Sequence, residues 1–412
     1  MGILQERRIM VSAWYRSQWF NYITCLAATL FMTMGEGSYL FQIVPYLEMR
    51  NVGAFDIGVT NGVLSAVEAV ACLLIGYLYK NRQTRRYMVC GILLLQSSAV
   101  IMMFQPSGFM VKLASGLNGF GIGILLVLVH STLLANRPTK ISLGLTVGIY
   151  TSGIAAGNAI GAAVSGFIVD TFGFVYGFSY CLISFTGFLA AVFMIQMNRS
   201  RHHAEVVADK ISRRVKHGHH EFFSQPWMWK TSLIAGFSMA CIIIVSEVIF
   251  PIYALRSGLS VSFLGSLHGI KMMLAAIIRP FSGFILVYIN SALLTILSLV
   301  ILAAAVICLP FVGLSYGLVL LSGVIGLTFG TCRVTSATLS VENVKTNAEN
   351  SRRIALYSFA LSFGQIITPF IGGWSADAIS LPATIVGLPI IFLGIFFIGL
   401  IFTWRSNTAA VR

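Results

Sequence analysis

Twelve stretches of this chain, each about 18 to 27 residues long, are apolar almost without interruption. They lie at about 20–42, 55–79, 87–104, 109–135, 143–169, 174–197, 229–254, 262–288, 291–312, 315–341, 353–376 and 384–404. A helix rises 1.5 Å per residue, so roughly 20 residues cross the hydrocarbon of a bilayer. Backbone polar groups find no water there, which leaves helices or closed barrels. The runs are continuous and do not alternate, so the barrel is excluded. Only 10% of residues are charged, against roughly 25% in a soluble domain, and mean hydropathy is +0.87. The expected fold is an all-α membrane protein with twelve transmembrane helices. A soluble enzyme, a nucleic-acid reader and a disordered chain are excluded.

The net charge of +14 is explained by position. Arg7, Arg8, Arg16, Lys80, Arg82, Arg85, Arg86, Arg137, Lys140, Arg199, Arg201, Lys345, Arg352, Arg353 and Arg405 fall on one set of loops and ends, and Arg50 and Arg256 on the other. Excess Lys and Arg mark cytoplasmic loops, which places both termini in the cytoplasm. Behind Arg7, Arg8 and Arg16, the first apolar run is too long for the hydrophobic region of a cleaved leader, so it is expected to be a retained span. The seven Cys lie inside apolar runs with no CxxC pair, which reads as reduced packing residues with neither disulfides nor a metal site. The polar stretch 198–228 divides the chain into a six-helix bundle at 1–197 and another at 229–412. It contains His217, His219 and His220, and reads as a basic linker lying against anionic headgroups or as a metal-sensing tract.

The halves are copies. A shift of 207 residues brings Gly58, Gly62 and Gly76 onto Gly265, Gly269 and Gly283, and Ser115, Gly116, Gly119 and Gly123 onto Ser322, Gly323, Gly326 and Gly330. It also brings Tyr150, Gly157, Gly166 and Asp170 onto Tyr357, Gly364, Gly373 and Asp377. Six spans per copy put both in the membrane the same way up, related by a pseudo-twofold along the membrane normal with a site between them.

Span 5 reads Gly153-Ile-Ala-Ala-Gly157-Asn158-Ala-Ile-Gly161, and its partner runs from Gly364 through Pro369 to Gly372-Gly373. The loop after span 2 carries Lys80, Arg82, Arg85 and Arg86. These segments resemble the major facilitator superfamily. The first is similar to that family's antiporter motif, with Asn158 where the motif has Pro. The second is similar to its gating loop, with Lys80 in place of the family's Asp. The resemblance covers essentially the whole chain and implies a bacterial-type, monomeric inner-membrane transporter. It further implies that spans 1, 4, 7 and 10 line a central cavity, with 2, 5, 8 and 11 beside them. Gly153, Gly157, Asn158, Gly161, Gly364 and Pro369 are then packing or gating positions, with Lys80 and Arg85 in the gate.

An ionisable side chain inside a bilayer costs several kcal/mol unless it is paired, hydrated or used. The chain has few. Glu36 follows Thr29 and Thr33 in span 1, Glu68 shares a polar stripe with Asn61 and Ser65 in span 2, and Glu247 lies in span 7. His130 is in span 4; His268, Lys271 and Arg279 share one face of span 8, and Arg333 lies in span 10. Two readings stand. In one, Glu36 and Glu68 neutralise Lys271 or Arg333 across the bundle interface as a latch. In the other, Glu36, Glu68 or Glu247 exchanges a proton, while Lys271, Arg333, His268, His130 and Asn61 meet substrate and Arg279 gates. His130 and His268 also fit plain buried histidines. No nucleotide-binding loop, nucleophilic triad or metal-ligand spacing is present, so no enzyme activity and no cofactor is expected. The partners expected are a small molecule, protons and lipid, without nucleic acid. The expected function is proton-coupled export of a small, amphiphilic or anionic organic compound. Proton-driven uptake of an organic anion is one alternative, and a transporter-like sensor that moves nothing is another.

Overall fold

Long apolar runs separated by short polar turns leave each helix only its neighbours to pack against. The computed structural model describes residues 2–78, 83–138, 143–195, 227–286, 289–313, 315–341 and 347–410. The described residues form twelve membrane-scale helices and no strand. The first six are α1 (Gly2–Glu48), α2 (Ala54–Leu78), α3 (Thr84–Met103), α4 (Phe109–Ala135), α5 (Leu143–Phe172) and α6 (Phe174–Met194). Next comes α7, which is α-helical over Trp227–Ile244, a π-turn over Val245–Ile249 and α-helical again over Phe250–Arg256. The last five are α8 (Val261–Ile285), α9 (Ser291–Cys308), α10 (Ser315–Val341), α11 (Asn347–Ala378) and α12 (Leu381–Ala410). Ten of the twelve carry windows long and apolar enough to cross a membrane. The other two, α1 and α11, are more polar within the span itself, with Thr29, Thr33, Glu36 and Gln42 in α1 and Gln365, Thr368 and Pro369 in α11. Their helices outrun the apolar stretches at 20–42 and 353–376, because helical backbone continues past the hydrocarbon while hydropathy does not.

With an even number of spans, both chain ends emerge at one face, termed here the terminal face; the other is the distal face. Tight distal turns use glycine in the left-handed region, Gly173 (φ 90°) between α5 and α6 and Gly258 (φ 86°) between α7 and α8. Helices α1 to α6 pack among themselves as one lobe, and α7 to α12 as the other. The lobes meet chiefly through two helix pairs, α2 with α11 and α5 with α8, which the 207-residue shift interchanges. The fold is therefore two pseudo-twofold-related six-helix bundles. The loop position Lys80 and the 198–228 linker up to residue 226 lie outside the described residues.

Candidate functional site

Small residues decide how deep the functional side chains sit. Without a hydrophobic drive between helices in lipid, close packing over glycine carries much of the association. A Cβ on Gly119 of α4 would strike the Leu64 carbonyl of α2, and one on Gly123 the Glu68 carbonyl. The second copy repeats this: Gly326 of α10 is pressed on the Lys271 carbonyl of α8 and Gly330 on that of Ala275. In α5, Gly157 abuts Thr33 of α1, and Gly161 abuts the Met34 carbonyl and the Ser38 nitrogen, which lie on either side of Glu36. Gly364 of α11 meets the Phe237 carbonyl of α7 in the equivalent contact. Glu36, Glu68 and Lys271 thus stand on backbone held by these contacts.

Between the lobes is a cavity of about 1110 Å³, lined by α1, α2, α5, α7, α8, α10 and α11. It reaches the terminal face, where Leu145, Leu286 and Ser340 border it. Glu36, Asn61, Glu68, Asn158, Glu247, His268, Lys271, Arg279, Arg333 and Pro369 all line it. Glu36 is 7% exposed and Glu68 half-buried, and the two interact electrostatically. Among the described residues neither carboxylate has an ion-pair or hydrogen-bond partner. The latch to Lys271 does not form in this state. Lys271, 4% exposed, pairs instead with Glu247 of its own lobe at 3.2 Å, and its Nζ donates to Ser246 Oγ at 3.4 Å. The reason is local. Pro251 has no N–H to give the Glu247 carbonyl, the helix widens into the π-turn Val245–Ile249, and Ser246 and Glu247 are presented to α8.

The two guanidiniums have no carboxylate within reach among the described residues. Arg333 lies over the Tyr357 ring, 5.7 Å from its centroid, and the Tyr357 hydroxyl shares a 2.7 Å hydrogen bond with Ser336. Arg279 donates to the Thr151 carbonyl of α5 and lies 5.8 Å from the Phe329 centroid, while its Nε is buried without a partner. The two cations interact electrostatically.

The remaining expected positions divide. Asn61 turns its amide back to the Ile57 carbonyl at 2.9 Å, and His268 lies beside Phe41 of the other lobe, ring centroids 6.3 Å apart. His130 stacks on Tyr150 at 4.6 Å and is not among the residues lining the cavity. Gly153 makes only an ordinary contact with Thr29, and Arg85 donates to the Phe193 and Ile195 carbonyls, tying α3 to the end of α6. None of Gly153, Gly157, Gly161, Gly364 and Arg85 lines the cavity.

The distal closure was not legible as a functional element. Asp377, at the end of α11, accepts from the Ala54 and Phe55 amides that start α2, at 3.1 and 2.9 Å. Asp170, at the end of α5, accepts from the Ser262 amide that starts α8, at 2.7 Å. Each carboxylate caps a helix of the opposite lobe, where free N–H groups and the helix dipole favour an anion. The shift of 207 converts one cap into the other. Gly58 meets the Pro369 carbonyl beside one cap, and a Cβ on Gly166 would lie 3.0 Å from Gly265 Cα beside the other. Arg256 adds a bidentate pair to Glu48 at 2.6 and 3.1 Å. Asp170 and Asp377 had been visible as a repeated pair; which helix ends they cap depends on tertiary placement.

The model of the Major Facilitator Superfamily matches residues 25–350. No curated protein matches the chain in sequence. Among solved structures, the peptide transporter POT in complex with sulfate is similar, at a TM-score of 0.71 and 14% identity over 93% of this chain and 94% of that one. A variant of the nucleoside transporter NupG aligns at 0.67 and 13% identity, over 93% and 99%. A POT family transporter in complex with 5-aminolevulinic acid aligns at 0.71 and 11%, over 93% and 96%. At these identities the likeness is one of fold.

Proposed function

The chain belongs to the major facilitator superfamily, and from that premise we propose that it is a proton-coupled secondary transporter that exports a small organic compound by alternating access. The observation that carries the proposal is Glu36 and Glu68, two cavity carboxyls without a counter-ion among the described residues. Carboxyls left unpaired at such depth cost several kcal/mol, a cost offset when they take up a proton or a ligand. The fold supports the rest. A cavity of about 1110 Å³ suits a small organic solute and its water, and structures of the same fold belong to peptide and nucleoside transporters. In our reading the basic loops place the terminal face in the cytoplasm of a bacterial inner membrane, and the state described here takes up its cargo from that side. Protonation of the Glu pair and release of cargo then accompany opening of the distal caps. Export rests on the glycine stretch of α5, whose Gly157 and Gly161 let it ride closely on α1.

A second reading, uptake of an organic anion with protons, is favoured by the neighbouring guanidiniums of Arg279 and Arg333. Proteoliposomes separate the two. With purified protein and an imposed pH gradient, export predicts that substrate moves against the proton flux, and uptake that it moves with it. Movement unaffected by the gradient contradicts both.

A further inference from the structure

The ionisable groups of the cavity sort by wall. One lobe presents Glu36 and Glu68. The other presents Arg279 and Arg333, Arg279 lying against Phe329, one helical turn from Arg333 on α10. Lys271 and Glu247 neutralise one another and drop out. Two like-charged pairs therefore face one chamber without meeting; the guanidiniums stay charged and call for an acidic group beside them, and the carboxyls for a proton or a cation. An ion of one sign satisfies one wall and leaves the other as it was.

We infer that the cargo is a zwitterion, its ammonium group received by Glu36 and Glu68 and its acidic group by Arg279 and Arg333; this rests on the transporter reading above. The depths fix its polarity. Glu68 comes fourteen residues after Ala54, the start of α2, and Arg279 and Arg333 eighteen residues after Val261 and Ser315, the starts of α8 and α10. At 1.5 Å per residue these are depths of roughly 21 and 27 Å from the distal ends. The ammonium end lies distal, and the acidic end lies nearer the terminal face. At the depths between them the lining is apolar, with Ala155 of α5, Met239 and Ala240 of α7, Phe329 of α10 and Leu361 of α11 among it, so the two charges are joined by a methylene chain or ring. Tyr357 stands at Arg333 with its hydroxyl already hydrogen-bonded, and helps position that guanidinium. Coupling follows without further parts: proton and ammonium compete for the same pair of carboxylates, so loading one displaces the other.

The test uses the full-length protein in lipid nanodiscs and matched probes: ω-amino acids from butanoic to undecanoic chain length, their N-acetyl derivatives and their methyl esters. The best free amino acid is expected to bind about 10-fold or more tightly than either derivative, the scale of one charge-assisted hydrogen bond. In a Glu36→Gln, Glu68→Gln variant its advantage over the N-acetyl acid disappears, and in Arg333→Gln its advantage over the ester disappears. Each variant is first shown to be folded by its unchanged helical circular dichroism. An N-acetyl acid or an ester that binds as well as the parent overturns the inference, and so does a failure of every probe to bind. Spin-label distances measured on the same protein keep the two claims apart. If the cavity still exchanges between faces while no zwitterion is preferred, only the cargo assignment falls; if it does not exchange, the transporter reading falls.

Discussion

Lys271 and Glu247 show what pairing does to a buried charge. Removing one strands the other, and a stranded ion costs about 3–5 kcal/mol where the pair itself is nearly neutral. Lys271→Ala is therefore expected to lower the thermal stability of the purified protein sharply. Lys271→Met combined with Glu247→Gln should recover most of the loss, and equal losses in the single and double variants would contradict the pairing. Glu36 and Glu68 behave in the opposite way, since nothing depends on their charge for packing. Glu36→Gln and Glu68→Gln are expected to fold and to lose proton-coupled transport in liposomes; coupling at wild-type rates in both would remove their role. That these residues interrupt apolar runs was legible from the chain alone, because a charge in a span stands out against its neighbours. Which of them pair was not legible. Pairing depends on rotation about each helix, and the π-turn at Val245–Ile249 changes that rotation. Pro251, four residues after Glu247, was the available sign.

Helices meet here by two devices, glycine contacts and carboxylate caps, and the repeat predicts both in duplicate. Asp170→Asn and Asp377→Asn each replace an anion at a helix N-terminus with a neutral acceptor. Each is expected to weaken distal closure by about 0.3–1 kcal/mol, and the two to act additively because the caps are separate. Labelling of cysteines placed at the distal face should report a larger open fraction in each single variant and the largest in the double. Unchanged labelling would mean the caps are ornamental. Gly58→Leu, which drives a side chain into the Pro369 carbonyl of α11, should hold the distal face open and stop transport while leaving each lobe folded. At this scale the chain was largely readable. Helix number, order and glycine faces follow from hydropathy and self-similarity, whereas α1 and α11 run past their apolar stretches because polar helix beyond the bilayer leaves no hydropathy signal.

Across the whole molecule the two copies share their packing and differ in their charges. Gly58 answers Gly265, and Asp170 answers Asp377. Glu68 answers Ala275, Lys271 answers Leu64, Arg279 answers Cys72 and Arg333 answers Leu126. Duplication thus supplies a symmetric hinge, and departures from it supply the site, which is why a self-alignment separates scaffold from chemistry without a second sequence. The most direct measurement is of two distances in one experiment. Spin labels at Ser107 and Tyr316 report the distal face, and labels at Arg86 and Leu293 the terminal face, all in a background lacking the seven native cysteines. Between pH 5 and 8 the wild type is expected to exchange populations reciprocally, the distal pair separating as the terminal pair closes. The Glu36→Gln, Glu68→Gln variant is expected to hold one population throughout. Distances that ignore pH in the wild type, or follow it equally in the variant, would contradict the account.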